Sequence, residues 1–587
     1  MKNYRQSQFD NLQKKNVNKS LFNLSHEIKT QMCFGRYYPI HYEECLPGDE
    51  WEIDGEYQFR FPGMYFPIQQ IGTMRADWFY MPYKLLFLTG EDIPSTNPQK
   101  LGWQAFIMGD DIELPTTKLN INGDGYSSSS GSQLYPGCSY PIENYLGFPY
   151  DTKDREDGNK QMSVPGSAFA LSMYLACYDE YYRNPQWEEP QFFALRPGQT
   201  DNDDSFEGVN QSINGITYVD WASTGGGSNP IINHAPFFAH FEKDYFTTAR
   251  PQPQDGDAIL IPSLGLDEDG NYLPQQIRGL DGTTPSEQQL TVSEGVLQNQ
   301  GTTAPLVLET NATIRQLRLY QVLQQFHERV MRIGKRYRGY IEGLWGNDPE
   351  PNAVDIAQLV GSHFGRIQIT DTMTTADVPD GASTGNYRGN INFHNNGTTH
   401  RYYCQDYGLL MCILNVMPNT SYGQQIERKW TREVNTDFAL DMFSGIGDQE
   451  IKRKELFAIG DNRVWSVAGA DLGSQDDTIG YQDRFAEYKT RVNRVFNTAN
   501  IYDSFYMGSK PRGILSDYQN IDVAGFMLGH SNEALGNGIR EVDIFNVQPI
   551  KSGNSSYLDS TIWAHIYLTL KVKRCLPYFS TPGKQIM

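Results

Sequence analysis

A serine between glycines is the first place to look for a nucleophile, and residues 381–385, Gly-Ala-Ser-Thr-Gly, have the G-x-S-x-G spacing of a nucleophile elbow. An elbow works because an apolar strand enters the turn and a helix leaves it, exposing the hydroxyl and aiming backbone N–H groups at the oxyanion. The surrounding DVPDGASTGNYRG offers neither element, so Ser383 matches by spacing alone. A calcium loop is imitated in LGLDEDGNY, where Asp267, Asp269 and Gly270 take the third, fifth and sixth positions. Gly265 and Gln276 stand where the first acid and the bidentate glutamate belong, so the segment reads as an exposed acidic turn. The 10 His include no i, i+4 pair on a helix, and there is no H-E-x-x-H, P-loop or dinucleotide fingerprint. The 7 Cys, at 33, 45, 138, 177, 404, 412 and 575, contain no C-x-x-C, which excludes a zinc module and a disulfide framework and fits a reducing compartment. Among 70 acidic residues a carboxylate pair can always be chosen after the fact, so no active site, metal or cofactor is expected.

Positive charge is the scarcer quantity. Net charge is -21, which excludes a surface that wraps nucleic acid as a whole, because phosphate affinity comes chiefly from Lys and Arg. Contact with nucleic acid must therefore be local. Two places qualify. The N-terminal arm carries Lys2, Arg5, Lys14, Lys15 and Lys19 against one acid, Asp10. The stretch Arg329, Arg332, Lys335, Arg336 and Arg338 is the densest cationic cluster in the chain. Each has a plainer reading, a solvated tail and a helix face paired with acids such as Glu328. Lys14, Lys15, Lys19, Arg332, Lys335 and Arg336 are the candidates for facing nucleic acid.

The elements that would position these residues are mostly strands. In LPGDEWEIDGEYQFRF, residues 46–61, Trp51, Ile53, Tyr57, Phe59 and Phe61 share one parity, with Gly55 the only gap, and the other parity is acidic and polar. STIWAHIYLTLKVKRCLP, residues 560–577, alternates in the same way, and LLMCILNVMP at 409–418 is continuously apolar. Strands near both ends of the chain suit an antiparallel sandwich whose first and last parts pair. Helical periodicity predicts three connections, at about 165–183, 311–340 and 480–497. Residues 196–235 and 263–305, dense in Gly, Asn, Asp, Gln and Thr, read as surface insertions. With 54 Gly, 31 Pro and 36 Tyr, and no run long enough to span a membrane, the composition is that of a turn-rich β protein whose tyrosines suit partly wetted interfaces.

The order and spelling of several segments resemble the major capsid proteins of the Microviridae, above all the gokushovirus-like branch. The resemblance is carried by NLSHEIKTQMCFGRYYPIHYEECLPGD, ADWFYMPYKLLF, ENYLGFP, SAFALSMYLACYDEYYRNP and KDYFTTARPQPQDGD. It continues in IRQLRLYQVLQQFHERVMRIGKRYRGYIEGLWG, GSHFG, MFSGIGDQEI and IGYQDRFAEYKTRVNRVF. It implies a viral eight-stranded antiparallel jelly-roll β-barrel with large inter-strand insertions. The domain plan is then a basic arm over 1–25 and a single capsid domain over 26–587. The implied role is a T=1 icosahedral shell around circular single-stranded DNA, built in the bacterial host cytoplasm and found in the virion. The implied partners are other copies of the chain, a DNA pilot protein, a small basic DNA-packaging peptide, an internal scaffolding protein and a host cell-surface receptor. In such shells an insertion builds a protrusion at the three-fold axis. Its counterpart here is expected within 263–305, where Leu264, Leu266, Tyr272 and Leu273 would meet their copies, with 196–235 as the other candidate. The stretch TADVPDGASTGNYRGNINFHNNG after GSHFG departs from the family pattern. The alternative from another class, a β-sandwich carbohydrate-active enzyme or glycan-binding protein, requires an aromatic-lined cleft and, for catalysis, a close carboxylate pair.

Overall fold

The computed structural model describes residues 19–61, 72–87, 102–109, 114, 116–117, 142–147, 166–167, 169–186, 211–213, 216–218, 236–237, 239–240, 242–256, 277–279, 290–293, 296–299, 306–308, 314–334, 336–367, 370–373, 387–390, 392–419, 421–422, 425–456, 466–467, 470–471, 476, 478–494, 509–510, 550–552, 555–557 and 562–579. The chain divides into two compact units. Unit one comprises Met1–Pro251, Pro349–Ser444 and Glu450–Met587, and unit two comprises Gln252–Asp348 and Gly445–Gln449.

Unit one is built on two antiparallel sheets sharing one core. The first five strands are β1 (Ser20–Asn23), β2 (His26–Met32), β3 (Tyr37–Cys45), β4 (Glu50–Arg60) and β5 (Gly72–Pro82). The other five are β6 (Gln358–Ile367), β7 (Asn392–Asn396), β8 (His400–Tyr403), β9 (Gly408–Pro418) and β10 (Ile562–Arg574). In sheet one β10 lies between β4 and the β1/β2 pair, and β7 and β8 flank the other side of β4. In sheet two the order is β6-β5-β9-β3. This is a jelly-roll type of sandwich with insertions between its strands, and the expected pairing of early and late segments is present.

Sheet one keeps one dry face. Trp51, Ile53, Tyr57 and Phe59 of β4 and Ile562, Ala564, Ile566, Leu568, Leu570 and Val572 of β10 are all buried, as the period of two requires. The gap at Gly55 has a packing cause: a Cβ there would stand 2.9 Å from the Tyr57 hydroxyl and 3.0 Å from its ring. That hydroxyl instead reaches across to Nδ1 of the buried His363 on β6, at 2.8 Å. The end of β10 is clamped to the β3–β4 turn. Arg574 donates from Nε to Asp49 at 2.8 Å, bonds the Glu44 carbonyl and lies over the Trp51 ring.

Sheet two is buried on both faces along β9 and most of β5, while the edge strand β6 leaves Leu359 and Phe364 exposed. Helix α1 (Phe169–Cys177) is buried at all nine positions, as befits a helix apolar all round. It runs on into a π-helical turn, Tyr178–Tyr182, which brings adjacent tyrosines to the same part of unit one. Tyr181 donates to the Ala357 carbonyl at 2.6 Å and packs on Phe79, while Tyr182 stacks on Tyr37 and donates to Asp77 at 2.7 Å. Asp77, itself buried, also takes Arg75 at 2.8 Å and Ser362 at 2.5 Å.

Of the three predicted helical connections, the one at 480–497 requires correction. Residues Thr478–Gln482 form a strand, Tyr481 exchanges two backbone hydrogen bonds of 2.8 Å with Arg250, and only Ala486–Lys489 is helical. Phe485, at φ 61°, breaks the helix that its spacing from Tyr481 and Tyr488 imitates. The connection at 311–340 is two helices, α2 (Ile314–Ile333) and α3 (Tyr337–Trp345), separated at Gly334 with φ 85°. A Cβ at Gly343 would lie 2.3 Å from the Ile333 side chain, so glycine is what allows the two to pack.

Candidate functional site

The basic cluster belongs to unit two. Arg332, in the last turn of α2, donates from Nη2 and Nε to Asp448 at 2.7 and 3.2 Å, and the Asp448 side chain is buried. Arg338 grips Asp348 through two bonds of 2.8 and 3.1 Å, which hold that carboxyl below its ordinary range. These two arginines bind the unit's own chain together. A glutamate at 332 would face a buried carboxylate, so charge reversal there reports on folding before it reports on any ligand. Arg336 is half-buried and Lys335 lies outside the described residues. Lys19 is similarly engaged, donating to the Gly48 carbonyl and to Glu50 at 2.7 Å each, which raises its pKa chiefly through the Glu50 bond. Lys14 and Lys15, the loop with Leu264, Leu266, Tyr272 and Leu273, and the Ser383 motif lie outside the described residues.

What periodicity could not reveal is where the apolar side chains point. Along α2, Leu319, Val322, Leu323 and Phe326 fall at i, i+3, i+4 and i+7 and are all exposed. Unit one has a counterpart in residues 428–444, which wind through three 3-10 turns, Arg428–Trp430, Asn435–Asp437 and Asp441–Phe443. Trp430 is 72% exposed and Met442 90%, with Val434, Phe438 and Leu440 exposed between them.

The backbone beneath them is fixed by polar contacts. Asp437 accepts the N–H groups of Glu433 and Val434 at 2.9 and 3.0 Å, which lower its pKa. Arg432 pairs with Glu487 at 3.3 Å and lies over the Phe438 and Tyr488 rings. Arg428 reaches Glu455 at 3.2 Å, and burial raises the pKa of that carboxyl. The cavity below, lined in part by Tyr245, Arg428, Arg432 and Glu455, is about 150 Å³, well short of the several hundred typical of ligand pockets. Buried thiols at Cys45, Cys177 and Cys412 are pushed up in pKa, the opposite of what a nucleophile needs.

A family model described as capsid protein (F protein) matches residues 159–512. The chain belongs to the phage F-protein capsid family. Two curated relatives extend the likeness along the chain. "Capsid protein VP1" of Chlamydia phage 1 is 21% identical over 550 residues, covering 84% of this chain and 87% of the relative. "Capsid protein VP1" of Bdellovibrio phage phiMH2K is 22% identical over 538 residues, covering 84% of each. The resemblance to gokushovirus-like capsid proteins therefore holds, and the F-protein family is one of structural proteins, not enzymes. An F-protein capsid subunit is a virion component that assembles with copies of itself. That gives the exposed apolar side chains of 428–444 and α2 a physical reason, because displays of this kind mark protein contact surfaces.

Proposed function

We propose that this chain is the major shell protein of a small single-stranded DNA phage, closing as roughly sixty copies into a T=1 particle with roughly 4 MDa of coat. The supporting observation is the pairing of F-protein family membership with apolar side chains displayed on hydrogen-bonded backbone at 428–444. A net charge of -21 leaves the genome to be neutralised by others, which favours a small basic packaging peptide as a partner alongside pilot and internal scaffolding proteins. Assembly would take place in the bacterial host cytoplasm. The basic arm with Lys14 and Lys15 would face the DNA. The insertion 263–305 would form the host-contacting protrusion, with Leu264, Leu266, Tyr272 and Leu273 at its trimeric contact.

Co-expression with the scaffolding protein, followed by sedimentation and negative-stain microscopy, tests the reading. Closed shells are expected, and a folded subunit that stays monomeric with scaffold present contradicts it. Trp430→Ser with Met442→Ser should leave the subunit's melting unchanged and abolish shells. The short strands Ile277–Gly279 and Leu306–Leu308 pair antiparallel. Replacing 281–304 by a tight turn therefore keeps that ladder, and should give intact shells with reduced adsorption to host cells. Loss of shells would return the segment to the framework.

A further inference from the structure

The solvent-facing side of sheet one changes character along its length. At one end charges are matched across the strands: Lys571 and Arg401 lie 3.6 and 3.5 Å from Glu52, and Lys573 and Lys19 lie 3.7 and 2.7 Å from Glu50. At the other end the acids stop. The outward positions of β4 run Glu50, Glu52, Asp54, Glu56 and then Gln58 and Arg60. Register sets Trp563 of β10 between Arg60 and Gln31, and His565 between Gln58 and Lys29. These six residues line a groove of about 660 Å³. Among the described residues no carboxylate lines it. Glu27 pairs with two of the six, standing 3.4 Å from Lys29 and 3.3 Å from His565. Arg60 is exposed and forms no ion pair among the described residues, and Trp563 is 48% exposed in the middle of the patch.

An exposed tryptophan flanked by cations and amides, in a protein that pairs its cations elsewhere on the same face, has the chemistry of a stacking platform with phosphate contacts. We propose that this end of sheet one binds single-stranded nucleic acid, with a base stacked on Trp563, flanking phosphates on Arg60 and Lys29, and the Gln31 and Gln58 amides at the base or sugar edges. A duplex keeps its bases stacked and offers no free face to the indole, so the strand must be single. A neutral glycan would use the aromatic platform but gain nothing from the Arg60 charge, which has no acid partner among the described residues. The inference deepens the shell reading and rests on it, since a shell subunit must meet a genome.

The test is fluorescence anisotropy of a labelled oligothymidylate titrated with the full-length unassembled subunit, with intrinsic tryptophan quenching followed in parallel. Trp563→Ala should weaken binding about tenfold, and Trp563→Phe should retain most of the affinity while losing the quenching signal. Arg60→Ala should weaken binding and reduce the slope of log affinity against log salt by about one. Lys571→Ala, at the acid-matched end, should change neither. Wild-type affinity and salt slope in the Trp563→Ala and Arg60→Ala proteins would overturn the proposal, as would tighter binding of a neutral oligosaccharide than of oligothymidylate. Shell formation is scored separately. A subunit that binds DNA through Trp563 but never assembles removes the shell reading alone, whereas shells from a subunit whose DNA affinity ignores the groove remove this inference alone.

Discussion

Sheets one and two share one hydrophobic core, yet their polar groups live in opposite conditions. In sheet one the outward charges of β4 and β10 stand in water and meet across the ladder at 3.6 and 3.7 Å, distances at which exposed pairs contribute little. In sheet two Asp77 is buried and must be satisfied entirely by protein, which Arg75, Tyr182 and Ser362 accomplish. The difference lies in what covers each outer face. Helix α1 and its π-helical turn pack on sheet two, whereas among the described residues the outward side chains of sheet one's β4 and β10 stand half-buried or exposed. A substitution on sheet two is therefore a stability experiment, and one on the outer face of sheet one is a binding experiment.

The largest effect that would sharpen this contrast is expected from Asp77→Ala. It leaves a buried hydroxyl and a guanidinium without their acceptor and should cost about 3–5 kcal/mol in urea unfolding. A loss below about 1 kcal/mol would mean that sheet two is wetter than described. Acid comes next. Burial, with His26 adding to it, holds the His41 pKa at about 3, whereas the unfolded residue titrates near ~6.5. The unfolded chain therefore takes the proton first, and stability present above ~6.5 drains away as pH falls toward the folded value. Between pH 7 and pH 5 this should remove about 2 kcal/mol, and His41→Phe should abolish that part of the pH dependence. An unchanged pH profile in the variant would show that His41 is hydrated.

Gly55→Ala, which drives a methyl group into the Tyr57 ring, should cost about 1–3 kcal/mol. Adding Tyr57→Phe should recover part of the loss, so strict additivity in the double-mutant cycle would contradict the close approach. The smallest effect belongs to sheet one's exposed face, where Glu52→Ala should shift stability by less than about 1 kcal/mol. A larger loss would erase the contrast from the other side.

Much of this framework was legible because water imposes a period. β4 and β10 alternate since one face is wet, and β9 is continuously apolar since neither face is. β6 was harder to read, because the ladder to β5 shifts between Leu359 and Gly361 and breaks the alternation. The segment after Tyr481 misled because strand-and-turn residues fell by accident at helical spacing around Phe485. Of the candidate site residues, Arg332 looked like a free cation since its acid, Asp448, lies 116 residues away. The Trp563 and Arg60 patch was hidden for the same reason: two strands remote in sequence become neighbours only through register.

The clamp between Arg574 and Asp49 joins residues 525 positions apart. During synthesis β4 leaves the ribosome long before the strand that will separate it from β1 and β2 exists. Until residues 562–574 arrive, β4 and the β1/β2 pair are unpaired on the sides that β10 will fill, and folding must wait on contacts of very high sequence separation. A chain interrupted anywhere upstream thus has no finished sheet one to offer its neighbours, which makes assembly a test of complete translation.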